Sequence, residues 1–158
     1  MQRPITGFRL DDAGDWMAVL GCGHPQHVRH RPPFELRPWV TTESGRRAKL
    51  GLPLDCVRCD RFELPADAAA YKRTPVFTET TIPDALRRDH TTRQGVWGRI
   101  VVEDGRLRYV VDALATDVAL DAGRPGIVVP EVPHRVEPLG PVRFFVDFLR
   151  SPSSAESA

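Results

Sequence analysis

Two short clusters hold the residues best suited to gripping a metal ion: Cys22-Gly23-His24 and Cys56-Val57-Arg58-Cys59. A structural zinc takes four thiolate or imidazole ligands in a tetrahedron, and two close-spaced ligand pairs brought together by turns are a common way for a small module to supply them. Cys22, His24, Cys56 and Cys59 are therefore the candidate Zn2+ ligands. His24, His27 and His30 recur at every third position, so the histidine that completes the site is open among them; His24 is ranked first and His27 is the alternative. The chain has 3 cysteines, an odd number that cannot all pair within one molecule, which argues for metal over a disulfide framework. A thioredoxin-like redox role is weaker, because no βαβ pattern surrounds the Cys-x-x-Cys.

A second constellation lies in the other half of the chain. His90 and His134 are the only histidines there, each beside an expected strand, and a pocket for a divalent metal usually gathers imidazoles and a carboxylate from different strands. Glu131 or Asp147 would supply the carboxylate. Asp147 interrupts the apolar run Phe144-Phe145-Val146-Asp147-Phe148-Leu149, where an unpaired buried charge would be costly. The competing account pairs Asp147 with an arginine such as Arg99 or Arg143 and leaves the histidines as pocket residues without a metal. Between the cysteine pairs, Arg29, Arg31, Arg46, Arg47 and Lys49 are interleaved with Phe34 and Trp39. Cations for phosphates and aromatics for stacking suit single-stranded nucleic acid, but a solvated basic loop has the same composition, and that reading is favoured.

The elements that must carry these residues are short. The chain has 158 residues, with 15 prolines, 12 glycines and no long helical periodicity, a pattern of short strands joined by tight turns. Ile5–Leu10 and Trp16–Leu20 flank the polar turn Asp11–Asp15, and Thr42–Leu50 reads as a short helix capped by Thr42 or Thr41 and stopped at Gly51. Asp104-Gly105 is the strongest hairpin signal, setting Ile100 and Val102 against Leu107 and Tyr109. Gly126–Val129, Arg135–Glu137 and Val142–Leu149 supply further strands. The text changes character after Cys59, which places a boundary near residue 64: a zinc-binding module over 1–63, a second domain over 64–150, and a disordered polar tail over 151–158. The formal charge of +1 supplies no global field to attract either nucleic acid or an acidic partner. No apolar run approaches a membrane span and the start has no apolar signal core, so the expectation is a cytoplasmic protein without a membrane partner.

Some strings are familiar. Arg3–Phe8, Cys22–Pro33 and Leu54-Asp55-Cys56 resemble a small bacterial family of uncharacterised domains, over nearly all of residues 1–62. From Leu64 to Arg150 the chain resembles the TehB/YeaR-like domain, a cupin-type family. The resemblance rests on Tyr71-Lys72-Arg73-Thr74-Pro75, on His90 followed by Gly95–Arg99, on Pro130–His134 and on Phe145–Phe148. It implies a small β-barrel with a metal-type pocket and links to nitrosative or metalloid stress, including tellurite resistance. The His-x-His pair usual in cupins is missing, and Trp97-Gly98 stands roughly where their glutamate would be. The resulting fold class is mainly β, a small zinc-ribbon-like module followed by a cupin-like β-barrel, with Zn2+ in the first part and a divalent metal of unassigned identity in the second. A metal-binding protein that holds a small ligand or serves a stress response ranks first. A cupin oxygenase-type enzyme follows, with no catalytic residue assigned, and then a nucleic-acid or protein adaptor working through the zinc module. The barrel would also be the surface of a homodimer. No Gly-rich loop follows a strand, so methyl transfer is not expected.

Overall fold

The computed structural model describes residues 1–152 and consists of two antiparallel sheets. The first contains β1 (Gln2–Leu10), β2 (Trp16–Leu20), β3 (Pro25–His27) and β4 (Pro53–Asp55) in the order β3-β2-β1-β4. The hairpin expected across Asp11–Asp15 forms, with Leu10 opposite Trp16, and the Asp11 side chain accepts from the backbone N–H groups of Ala13 and Asp15, each at 2.9 Å. Short helices follow at α1 (Glu43–Arg47) and α2 (Val57–Asp60). Thr42 caps α1 by accepting from Gly45 N–H at 3.1 Å, and Gly51 takes a left-handed φ of 84° beyond it, so the helix starts as expected and is shorter than its sequence signal.

The second sheet contains β5 (Ala69–Arg73), β6 (Phe77–Thr78), β7 (Trp97–Val111), β8 (Thr116–Leu120), β9 (Gly126–Val128) and β10 (Arg135–Arg150). Its main order is β5-β10-β7-β8, with β6 also on β10 and β9 also on β7. The expected hairpin at Asp104-Gly105 does not form. β7 runs through those residues as one strand and pairs with β10 from Trp97↔Leu149 to Val110↔Arg135. Gly105 instead sits opposite Val142 where the register shifts between Pro138 and Val142, with φ of 79°. A Cβ there would run into the Pro141 carbonyl oxygen. The Asp-Gly signal marks a bulge, because a bulge needs the same left-handed glycine as a tight turn and equally reverses which residues face inward. The two strands expected over 135–137 and 142–149 are one bulged strand for the same reason.

The buried side chains form one cluster that includes Ile5, Leu20 and Val28 of the first sheet and Trp97, Ile100, Leu107 and Phe144 of the second. Ser151, expected to open the disordered tail, is fully buried; the rest of that tail, from residue 153, lies outside the described residues. No described helix is long and apolar enough to cross a membrane.

Candidate metal centre and ligand cavity

Strand β1 is the element that assembles the cysteines. It pairs with β2 on one side and β4 on the other, with Ile5 opposite Leu20 and Gln2 opposite Asp55. Cys22 and His24 lie in the turn leaving β2, which Gly23 tightens with a φ of 93° and a hydrogen bond from its N–H to the Leu20 carbonyl at 2.8 Å. Cys56 follows β4 and donates its N–H to the Met1 carbonyl at 2.7 Å, and α2 turns the chain so that Cys59 faces the same point.

His24 Nδ1 is 3.3 Å from Cys22 Sγ, 3.3 Å from Cys56 Sγ and 3.8 Å from Cys59 Sγ, and the sulfurs of Cys22 and Cys56 are 3.8 Å apart. A tetrahedral zinc with Zn–S of about 2.3 Å and Zn–N of about 2.0–2.1 Å has S–S edges of about 3.8 Å and S–N edges of about 3.6 Å. The four ligand atoms, all within 4.8 Å of one another, therefore fit such an ion. All four residues are buried, the closed arrangement of a structural site. Hydrogen bonds from Cys22 and Cys59 hold the Cys56 thiol far below its usual pKa, while Cys22 is pushed far above its own by Cys56, Cys59 and burial. Burial opposes a charge on His24, but its contacts with Cys56 and Cys59 outweigh that and push it up to about 9. A buried cluster that retains negative charge and draws protons is one a cation can occupy.

The structure places the other N-terminal candidates elsewhere. His27, the alternative ligand, turns outward and pairs with Asp11 at 2.8 Å, and His30 Nδ1 accepts from Arg37 N–H at 3.0 Å. The basic residues are each engaged within the chain. Arg29 and Arg31 share Asp15, Arg46 lies over Trp16 and donates to the Val40 carbonyl, Arg47 pairs with Glu43, and Lys49 sits over Trp39.

The metal centre is tied to the second sheet by contacts that no residue spacing announces. Trp97 Nε1–H donates to the Cys22 carbonyl at 2.7 Å, and its ring meets His24 edge-on at 5.4 Å between centroids. Buried Arg3 reaches across from β1 to the Pro130 carbonyl at 2.7 Å and to Glu131 at 3.1 Å. Trp97 and Gly98 point to opposite faces of β7. On the face opposite Trp97 is a cavity of about 630 Å3. Its wall is a cross-strand row, Lys72–Phe148–Gly98–Val128, backed by a second, Val146–Ile100.

His90 and His134 both line this cavity. Their backbones exchange hydrogen bonds at 3.1 and 3.0 Å, and their rings lie side by side with centroids 4.1 Å apart and planes tilted by 53°. Neither expected carboxylate joins them. Glu131 is held by Arg3, and Asp147 is buried in a two-point ion pair with Arg73 at 2.6 and 3.0 Å. Phe144, Val146 and Phe148 line the cavity, so strand alternation puts Asp147 on the far face. Its partner is Arg73 in place of Arg99 or Arg143, and the pair holds the carboxyl below its usual range. Among the described residues, three or more metal-ligating side chains converge at Cys22, His24, Cys56 and Cys59 alone. The charged residues that line the cavity are all basic: Lys72, Arg93 and Arg150. Sequence reading passed over them because they lie on three separate segments and converge only through strand pairing.

The fold and the two sites define the class. Residues 6–63 match the family described as a protein of unknown function (DUF3565), and residues 72–146 match the TehB-like domain. The chain is thus a DUF3565 segment followed by a TehB-like domain. Among curated proteins it is similar to TehB of Haemophilus influenzae (strain KW20 Rd), named a probable S-adenosyl-L-methionine-dependent methyltransferase. The two are 31% identical over 74 residues, covering 44% of this chain and 26% of that protein. The same-named protein of strain 10810 is 30% identical over 74 residues. This chain thus accounts for about a quarter of the length of the curated relatives it matches. Among solved structures, H. influenzae TehB aligns with a TM-score of 0.50 at 24% identity, over 54% of this chain and 32% of that one. A protein of Escherichia coli K12 aligns with a TM-score of 0.53 at 25% identity, over 57% of this chain and 97% of that one.

Proposed function

We propose that this is a small-ligand-binding protein in which a structural Zn2+ at Cys22, His24, Cys56 and Cys59 fixes the N-terminal sheet against the back of a ligand cavity carried by the TehB-like half. The observation that carries this reading is the cavity itself. At about 630 Å3 it has the size of small-molecule sites, and it joins apolar walls to a few converging polar groups. We read it as the cupin-type pocket of the second half, with a role in nitrosative or metalloid stress drawn from the resemblance of that half to the TehB/YeaR-like family. Methyl transfer is not carried over, since the matched stretch is 26% of the relative so named.

The test uses 8-anilinonaphthalene-1-sulfonate, an apolar anion that fluoresces when bound. The zinc-loaded wild type should bind it with one saturable phase, and Val146→Trp, which fills the cavity, should abolish that phase. Equal binding by the two proteins would remove the cavity as the ligand site.

A further inference from the structure

The two adjacent histidines specify what the ligand must bring. His90 Nδ1 lies 3.2 Å from the Arg88 carbonyl oxygen and His134 Nδ1 lies 3.0 Å from the Val132 carbonyl oxygen. A carbonyl only accepts, so each Nδ1 carries a proton and donates it, and in its neutral form each ring offers a lone pair on Nε2. At the cavity wall the pair is therefore an acceptor. Two partners could use such lone pairs, a metal ion or a hydrogen-bond donor. A metal is disfavoured on three counts: only two imidazoles converge, the carboxylates Asp89, Glu131 and Asp147 are engaged by Arg135, Arg3 and Arg73, and the charged lining is wholly cationic. The same cations favour a negative group on the ligand. Between them the walls are aromatic, with Phe77 and Phe144 at 5.6 Å between centroids and Phe148 on the adjoining row.

We infer that the cavity takes a phenolic acid: an aromatic body against the phenylalanines, a hydroxyl donating to Nε2 of His90 or His134, and a carboxylate held by Lys72, Arg93 or Arg150. This rests on the reading of the cavity as a ligand site and adds the ligand's chemical class. The experiment is calorimetric titration of the zinc-loaded full chain with 4-hydroxycinnamate and with cinnamate, which lacks the donor. The hydroxylated acid should bind about tenfold more tightly, the worth of one hydrogen bond to a desolvated acceptor. His134→Phe should bring that ratio to about one, and His90→Phe, at the more accessible ring, should lower it if burying a second phenylalanine prevents folding of the first variant. Lys72→Ala with Arg93→Ala should weaken both acids together and leave their ratio unchanged. Equal affinities for the two acids, or a ratio that survives both histidine variants, would overturn the phenolic assignment. Failure of both acids to bind while the anilinonaphthalene probe still occupies the cavity would overturn it too, and leave the ligand-site reading standing.

Discussion

The two sites lie one residue apart on opposite faces of β7, and they are built on opposite principles. On the Trp97 face every ligand atom is buried and within 4.8 Å of the others, with charge concentrated at one point. On the Gly98 face the polar groups are spread around an apolar wall, and the three cations stand at exposed positions. The first arrangement suits an ion that never leaves, the second a molecule that comes and goes. Because the same strand serves both, a metal held by the cluster would set the position of the cavity floor through Trp97. Gly98 adds to this: a Cβ there would stand 2.9 Å from the Val128 Cβ, so the floor has no side chain of its own that could compensate for movement.

The largest expected effect comes from removing the metal. Cys56→Ser or Cys59→Ser should lose one equivalent of zinc per chain by elemental analysis, and thermal unfolding followed by circular dichroism should shift by more than 10 °C. Zinc supplies on the order of 10 kcal/mol in small structural sites. Since the buried cluster includes both sheets, anilinonaphthalene binding should weaken as well. If chelation melts the first sheet and leaves that binding intact, the two faces are independent. Trp97→Phe sharpens the question with a smaller change. It removes the hydrogen bond to the Cys22 carbonyl and part of a fully buried ring, and should cost about 2 kcal/mol in urea unfolding while keeping the zinc.

The two faces were also unequally legible in the sequence. The metal ligands come as two local pairs, so spacing brings out the three cysteines and ranks His24 first among three histidines; that His24 faces the sulfurs while His27 turns to Asp11 depends on the turn at Gly23, which spacing does not encode. The cavity depended on parity. Phe144 to Leu149 is apolar on both faces of the sheet, so no alternation shows which way Asp147 points, and the choice between a cavity carboxylate and an ion pair with arginine rests on the pairing of β10 with β5. Asp104-Gly105 was ambiguous in a related way, since inward positions change from Ile100 and Val102 to Leu107 and Tyr109 whether the chain turns or bulges there. Only long-range pairing with Val142 decides it.

Acidity should act on the cavity face. Burial is the main reason the pKa of His134 falls to about 4, with the neighbouring His90 acting in the same direction and the hydrogen bond to the Val132 carbonyl and the nearby Asp89 opposing it. The unfolded chain, with an ordinary histidine near 6.5, then binds the proton more readily between those values. Stability contributed by the neutral ring is complete above about pH 6.5 and is lost as pH falls toward 4, an effect of up to about 3 kcal/mol. His134→Gln should flatten this part of the stability profile measured by urea unfolding from pH 7 to pH 4. A slope unchanged by the substitution would show that other groups carry it.

The smaller effects separate the candidates that the two faces leave out. Asp147→Asn keeps the shape of the side chain and weakens its pairing with Arg73, whose guanidinium is largely exposed (62%). The expected cost is about 1 kcal/mol, with no change in probe binding, because the pair lies on the far face from the cavity, and none in metal content, because neither residue belongs to the Cys22, His24, Cys56 and Cys59 cluster. Smallest of all is His27→Ala. Its imidazole is 43% exposed and touches Asp11 at the hairpin tip, a site where water competes for both partners, so the loss should be under about 0.5 kcal/mol. His24 Nδ1, in contrast, is within 3.8 Å of all three sulfurs, and His24→Ala should release the metal and reproduce the Cys56→Ser phenotype. Zinc content of the two histidine variants, measured side by side after dialysis, therefore separates a ligand from a neighbour. Retention by His24→Ala with loss by His27→Ala would require the β2–β3 turn to rearrange and would break the assignment of the Trp97 face as a preformed site.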